Sequence, residues 1–248
     1  MDTIGGIHSI ELLLEHQPER IIQLFVCEQR HDQKLQRLIA AAKQQGISVQ
    51  NISAHKLEQL LPKINHQGIA AQCKAPKNLD EHDLIQLAEG TPNGLFLILD
   101  GVQDPHNLGA CIRSADAAGV TAVIIPKDRA VSVNATVRKV ACGAADFIPI
   151  IVVTNLARAL KKLQNAGVFL VGLADDAAES LFQVNLQGSI GLVLGAEEQG
   201  MRRLTREHCD VLASLPMAGI VSSLNVSVAT GISLFEAVRQ RQNIYTTT

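Results

Sequence analysis

Apolar residues recur along this chain at two spacings, and each spacing predicts an element. Ile10, Leu13 and Leu14 share one face of a helix, and IIQLFV over 21–26 reads as a strand. Leu35, Leu38, Ile39 and Ala42 repeat at helical intervals until Gly46 stops them, and ISV then predicts another strand. Residues 1–75 are therefore expected to form a small α/β unit. The stretch KAPKNLDEHDLIQLAEGTPNG follows, with mixed charge and a closing Pro-Asn-Gly turn signal. It predicts a linker over 76–94 that carries a short helix. From 95 to 248 strand, loop and helix alternate. Strands are expected at LFLIL (95–99), AVII (122–125), FIPII (147–151), VFLVG (168–172), IGLVL (190–194) and VLASL (211–215). Helices are expected over 108–118, 156–164 and 224–240. Several of the strands are apolar without interruption, as in a parallel sheet covered on both faces. The pattern predicts a doubly wound α/β domain with its ligand crevice at the carboxyl ends of the strands.

Composition narrows the function classes. The chain has 248 residues, of which 47% are hydrophobic and 19% charged, a globular balance. One Tyr, six Phe and no Trp argue against the aromatic stacking platform of single-strand binders. The net charge is −2, split as +2 over residues 1–77 and −4 over the rest, so contact with nucleic acid must rely on local patches. Cys27, Cys73, Cys111, Cys142 and Cys209 stand far apart with no C-x-x-C pair. That fits neither a disulfide framework nor a zinc site, so buried thiols, a reducing compartment and no metal are expected. The N-terminus lacks the basic flank and long apolar run of a signal peptide, and no apolar stretch approaches the ~20 residues of a membrane span. A soluble, cytoplasmic protein is expected.

In a doubly wound fold the chemistry belongs to the loops after strands. The first such loop is DGVQDPHNLG, leading into a helix that carries Arg113. Asn107 stands at the expected helix start, where a short polar side chain either caps the helix or faces a ligand. With Arg113 and the free N–H groups of the helix it suits a phosphate; the plain alternative is a cap plus a solvated arginine. His106 reads as a loop histidine. The second loop is GAEEQG, in which Gly195 and Gly200 bracket Glu197 and Glu198 just after a buried strand. Glycine lets a backbone approach a ligand closely. Glu197 is balanced between function and a surface turn, whereas Glu198 reads as solvent-facing. The third loop, LPMAGIVSSLN, runs into a helix opening with Val226, Ser227, Val228, Thr230 and Gly231, which are mediocre helix formers. Ser222 or Ser223 is a credible N-cap, and Asn225, placed just inside the helix, suggests contact with a substrate or cofactor. Neither G-x-G-x-x-G nor G-x-x-x-x-G-K-[ST] occurs, which argues against a dinucleotide-dependent oxidoreductase or a P-loop.

Taken together, DPHNLGACIRSADAAG, LVLGAEEQGMRRL and LPMAGIVSSLNVSVATGISLFEAV resemble the three signature motifs of the SpoU group of SPOUT methyltransferases. The segment beginning GIHSIELLL resembles the small ribosomal-protein-like RNA-binding domain of the same group. The resemblance implies an S-adenosylmethionine-dependent methyltransferase domain over 95–248, with a parallel sheet and a deep trefoil knot made from the last two loops and the final helix. It also implies a homodimer with its active site at or near the subunit interface. Asn107, Arg113, Glu197, Ser223 and Asn225 match the motifs' catalytic positions. Gly195, Leu215, Met217, Leu224 and Asn225 match positions that hold the cofactor.

The implied reaction is displacement of a sulfonium methyl by a ribose 2′-oxygen. Because a guanidinium is essentially always charged, Arg113 is expected to clamp a phosphate and stabilise the developing alkoxide in preference to taking the proton. The whole-chain likeness implies a guanosine of 23S rRNA as target. A tRNA or another rRNA site, or a non-catalytic RNA-binding assembly factor, are the alternatives. RNA recognition would fall to residues 1–75, where Arg20, Arg30, Lys34, Arg37 and Lys43 are available for phosphates, or are simply a solvated face.

Overall fold

A computed structural model of the chain describes residues 2–30, 32–62, 65–74, 79–197 and 199–242. It divides into two compact units, Met1–Lys77 and Asn78–Thr248.

In the first unit the chain runs β1 (Asp2–Gly5), α1 (Ile7–His16), β2 (Ile21–Cys27), α2 (Gln33–Gln44), β3 (Ser48–Ile52), α3 (Ala54–Leu60) and β4 (Ile69–Cys73). The sheet order is β1-β4-β2-β3, with β2 and β3 parallel and the β4 pairings antiparallel. Helix α1 buries Ile7, Ile10, Leu13 and Leu14, and α2 buries Leu35, Leu38 and Ala42. Asp32 caps α2 by accepting from the Leu35 N–H. Lys34, Arg37 and Lys43 lie on the exposed side of α2.

The second unit holds α4 (Glu81–Gly90), β5 (Leu95–Asp100), α5 (Pro105–Ala117), β6 (Ala122–Pro126), α6 (Ala135–Val140), β7 (Ile150–Val153), α7 (Leu156–Asn165) and β8 (Phe169–Leu173). It continues with β9 (Glu179–Ser180), β10 (Ile190–Gly195), α8 (Arg203–Glu207), β11 (Val211–Ser214) and α9 (Val226–Gln242). Seven strands in the order β7-β6-β5-β10-β8-β11-β9 make one wholly parallel sheet. Every residue of β5 is buried, because clusters on both faces cover it. Leu97 and Leu99 face the cluster that includes Leu108, Ile112 and Leu234, while Phe96 and Ile98 face the one with Leu84, Leu156 and Leu160.

Three expectations change in the structure. The segment read as a linker contains α4, whose Leu84 and Ala88 are buried in the second unit's core, and whose Glu81 bonds Arg158 and Lys162 of α7. The strand expected over 147–151 begins at Ile150. Residues Ala144–Asp146 form a 3-10 turn, and Pro149 contributes only a carbonyl, which accepts from Val123 N–H at 2.8 Å. The expected burial of the cysteines holds for Cys27, Cys73 and Cys111, but Cys142 is exposed.

The far end of α9 is fixed by one side chain. Arg241 donates to the carbonyls of Leu186, Asn93, Gly94 and Gly188, closing the amino-terminal edge around β5 and β10.

Candidate active site

Three of the cavities among the described residues open along the carboxyl edge of the parallel sheet, and strand order sets their sequence. The first, about 390 Å³, lies beyond β8, β10 and β11, with Leu173, Leu194 and Leu215 at its strand ends. The second, about 300 Å³, lies beyond β5 and β10. The third, about 500 Å³, lies beyond β6 and β7. The second sits where strand order reverses, between β5 and β10, the place where open α/β sheets bind ligands.

The loop after β10 forms the wall between the first two cavities, and both are lined by Ala196, Glu197, Gln199, Gly200 and Val226. It folds back on itself: Ala196 N–H donates to Gly200 O at 3.2 Å, and Gly200 N–H to Ala196 O at 2.8 Å. Only glycine fits at Gly195, because a Cβ there would stand 2.0 Å from the Gly200 carbonyl carbon. An ion pair between a buried carboxylate and a part-exposed arginine pins this loop to β5. Asp100, 1% exposed, accepts from Arg202 N–H at 2.8 Å and from Arg202 Nε at 2.6 Å. The sequence reading passed over this pair. The available signal was a carboxylate closing an otherwise apolar strand, since such a charge is buried only when paired.

Three of the motif side chains meet at that wall, with Asn107 and Glu197 lining the second cavity and Asn225 lining neither. Asn107 Nδ2 donates to Glu197 Oε1 at 2.9 Å, and Asn225 Nδ2 donates to Asn107 Oδ1 at 3.1 Å and also to Glu197 Oε1. Asn225 Oδ1 accepts from Ser227 N–H at 3.0 Å and from Ser227 Oγ at 2.5 Å. Both asparagines are thereby oriented by bonds at each end of the amide, and Glu197 Oε2 is left as the open acceptor among the described residues.

The caps differ from the sequence reading, and the difference explains the cluster. Helix α5 starts three residues before the expected 108, with Asp104 as N-cap accepting from His106 N–H at 3.0 Å and Pro105 in the first turn. Asn107 is therefore free of capping. Helix α9 begins at Val226, so Asn225 itself caps it, in place of Ser222 or Ser223. His106 lies in the first turn of α5, its Nδ1 3.2 Å from Asp104 Oδ1.

Of the other candidates, Gly195, Leu215, Met217, Ser223 and Leu224 all line the first cavity, and Ser223 takes no part in the asparagine–glutamate network. Asn225 belongs to that network and is not among the first cavity's lining residues. Arg113 lines neither cavity; its guanidinium donates to Cys142 Sγ at 3.3 Å on the side of α5 facing α6. Glu198 lies outside the described residues.

Comparison with known proteins shows the family. Residues 94–235 match the model of the SpoU rRNA Methylase family, and residues 3–79 match a family described as RNA 2'-O ribose methyltransferase substrate binding. The chain belongs to the SpoU rRNA methylase family. It is 54% identical over 241 residues to the 23S rRNA (guanosine-2'-O-)-methyltransferase RlmB of Photobacterium profundum, covering 97% of this chain and 98% of that one. It is also 54% identical over 240 residues to the protein of the same name from Escherichia coli (strain K12), covering 97% and 99%. The SpoU methyltransferase AviRb from Streptomyces viridochromogenes, solved in complex with AdoMet, shares the fold with a TM-score of 0.78. That match spans 97% of this chain and 90% of AviRb at 24% identity. No helix of the described residues is long and apolar enough to cross a membrane.

Proposed function

We propose that this protein methylates the ribose 2′-oxygen of a guanosine in 23S rRNA, using S-adenosylmethionine. The observation that carries the chemistry is the Asn107–Glu197–Asn225 network at the wall between two adjoining cavities. The whole-length likeness to proteins named for 23S rRNA supports the substrate.

The first cavity suits the donor. Its volume falls in the range of small-molecule sites, about 300–1,000 Å³. Leu173, Leu215, Met217 and Leu224 offer apolar surface, and the carboxylates of Asp175 and Glu197 suit a cationic ligand. S-adenosylmethionine supplies a methyl group activated on a sulfonium. In this reading the loops after β10 and β11 and the start of α9 form the deep trefoil knot that the family implies, with Gly195, Leu215, Met217, Leu224 and Asn225 at the donor.

The second cavity then takes the target ribose, across the wall from the donor. Asn107 and Asn225 are held by their mutual bonds, so they orient the 2′-hydroxyl without reorganising, the effect from which most of the rate enhancement comes. Glu197 fixes both amides, and its open Oε2 accepts from a substrate hydroxyl. Ser223 contributes from the first cavity's rim. Arg113, a permanent cation, holds the phosphate beside the developing alkoxide.

The protein acts as a homodimer in the cytoplasm, and the reaction needs no metal. An apolar stripe of Val228, Ile232 and Phe235 stands exposed along α9, the helix that packs on α5. A dimer formed on that face brings Arg113 to the subunit interface and so to an active site there. In the first unit, exposed Lys34, Arg37 and Lys43 of α2 contact RNA phosphates, whereas Arg20, with buried guanidinium nitrogens, and Arg30, paired with Asp32, are turned to the protein itself.

Radiolabelled methyl transfer to rRNA and tRNA from cells lacking the gene, followed by mapping, tests the proposal. One labelled guanosine in 23S rRNA is expected. Label in tRNA keeps the chemistry and replaces the substrate. No label in either, with cofactor still bound by calorimetry, moves the substrate to a ribosome-assembly intermediate, and no cofactor binding leaves a binding factor.

A further inference from the structure

An RNA substrate must be held by cations, and most of those in the second unit are already paired. Arg138 is paired with Asp146, Arg158 and Lys162 with Glu81, and Arg202 with Asp100. Arg203 is paired with Glu207, Arg206 with Asp176, and Arg239 with Glu236. Arg129 has no carboxylate partner among the described residues. It stands in the loop after β6 and lines both the second and the third cavity.

Its backbone is unusual. Arg129 has φ +58°, in the left-handed region that non-glycine residues seldom occupy. The loop around it enforces that conformation. Lys127 N–H donates to Val153 O at 2.8 Å, and Val131 N–H donates to Val102 O at 2.9 Å, tying the loop to the ends of β7 and β5. Val131 and Val133 pack on the core behind it. A strained, exposed, unpaired arginine is thus fixed at the boundary of two cavities.

Strand order places those cavities side by side, beyond β7 and β6 and beyond β5 and β10, with the cofactor-sized cavity next in line. We infer that Arg129 binds an RNA phosphodiester next to the target nucleotide, so that the strand leaves the second cavity across this guanidinium and continues into the third. The planar fork of arginine suits a phosphate bidentately. Asp128 on the same loop also lines the third cavity, so the attraction is local to Arg129 and does not extend over the whole groove. The inference rests on the RNA-methylating reading above.

Arg129→Gly removes the cation while suiting the left-handed backbone, so the variant is expected to fold at least as stably as the parent. In filter binding to 23S rRNA from cells lacking the gene, its affinity falls about tenfold. The salt dependence of log K becomes shallower by roughly 0.7–0.9, one phosphate contact. Arg129→Lys keeps the charge and the parental slope, and cofactor affinity is unchanged in both. Phosphate-ethylation interference locates the contact: the parent is blocked by ethylation beside the methylated guanosine, and the glycine variant loses that sensitivity. A parental salt slope in Arg129→Gly, or an unchanged interference pattern, overturns the inference while the enzyme reading stands. A parent that binds RNA without methylating it overturns the enzyme reading, and the slopes still decide the phosphate contact. A parent that does not bind RNA overturns both.

Discussion

Asn225 serves two structures with one amide. Its Oδ1 caps α9 through Ser227, and its Nδ2 joins Asn107 and Glu197. Asn225→Asp separates the two, because a carboxylate still accepts from the Ser227 N–H but has no N–H to give and adds a second anion beside Glu197. Melting temperature should stay near the parental value while kcat falls about 100-fold, the cost of losing a positioned group. Asn225→Ala should lose the cap as well, about 1 kcal/mol in denaturant titration. Gly195 is constrained in another way. A methyl there meets Gly200 and Met201 backbone at 2.0 and 2.1 Å, so Gly195→Ala must open the return turn between the cavities. Calorimetry should show cofactor affinity reduced more than tenfold with the circular dichroism spectrum unchanged; equal affinity would remove the turn from the cofactor site. Both residues were visible in the sequence as a glycine after a strand and an asparagine where propensity gave no reason for one. The bonds of Asn225 to Glu197 and Asn107 were not, since Glu197 lies 90 residues from Asn107 and 28 from Asn225.

At the scale of elements, α4 shows how charge fixes a helix that sequence reads as a connector. Glu81 is largely buried between α4 and α7, and hydrogen bonding to Arg158, then to Lys162, holds its carboxyl below the usual carboxylate range against the opposing effect of burial. The unfolded chain therefore binds that proton more tightly than the folded one. The contribution of Glu81 and its two cations is present above pH ~4.5 and is lost as pH falls through the lower folded-state value. Glu81→Gln should lower the melting temperature near neutral pH by about 2 °C or less, as expected for a pair whose cations are partly exposed. The gap between parent and variant should close as pH drops below about 4. A gap that persists in acid would assign the effect to packing. The apolar spacing of Leu84 and Ala88 marks a helix in the sequence, but nothing local says which sheet it covers. Its i, i+4 pattern is too short to distinguish a linker helix from a core one.

For the whole molecule, the decisive surface is the face of α9 that its own chain leaves uncovered. Val228, Ile232 and Phe235 are each at least 37% exposed along one side, while Val226, Thr230, Leu234 and Ala237 are buried on the other. Apolar residues thus line two opposite sides of α9 over 226–237, and both sides are suited to burial. Phe235→Glu should convert the proposed homodimer to monomer in analytical ultracentrifugation and abolish methyl transfer, because Arg113 then loses the interface it is proposed to serve. A monomeric variant with parental activity would place Arg113's role within one chain.

The alternation of strand and helix, the parallel and doubly covered character of the sheet, and the three polar loops at strand ends are all legible in the amino-acid order. Each of these follows from spacing and residue type within a few residues of chain. What those loops do to one another emerges only on folding. The packed sheet inserts β10 between β5 and β8, which brings Glu197 against Asn107, closes Asp100 on Arg202 and lines three cavities along one edge. Such contacts depend on strand order, and strand order is set by how two apolar faces are covered at once, a property of the packed whole that no local window of sequence contains.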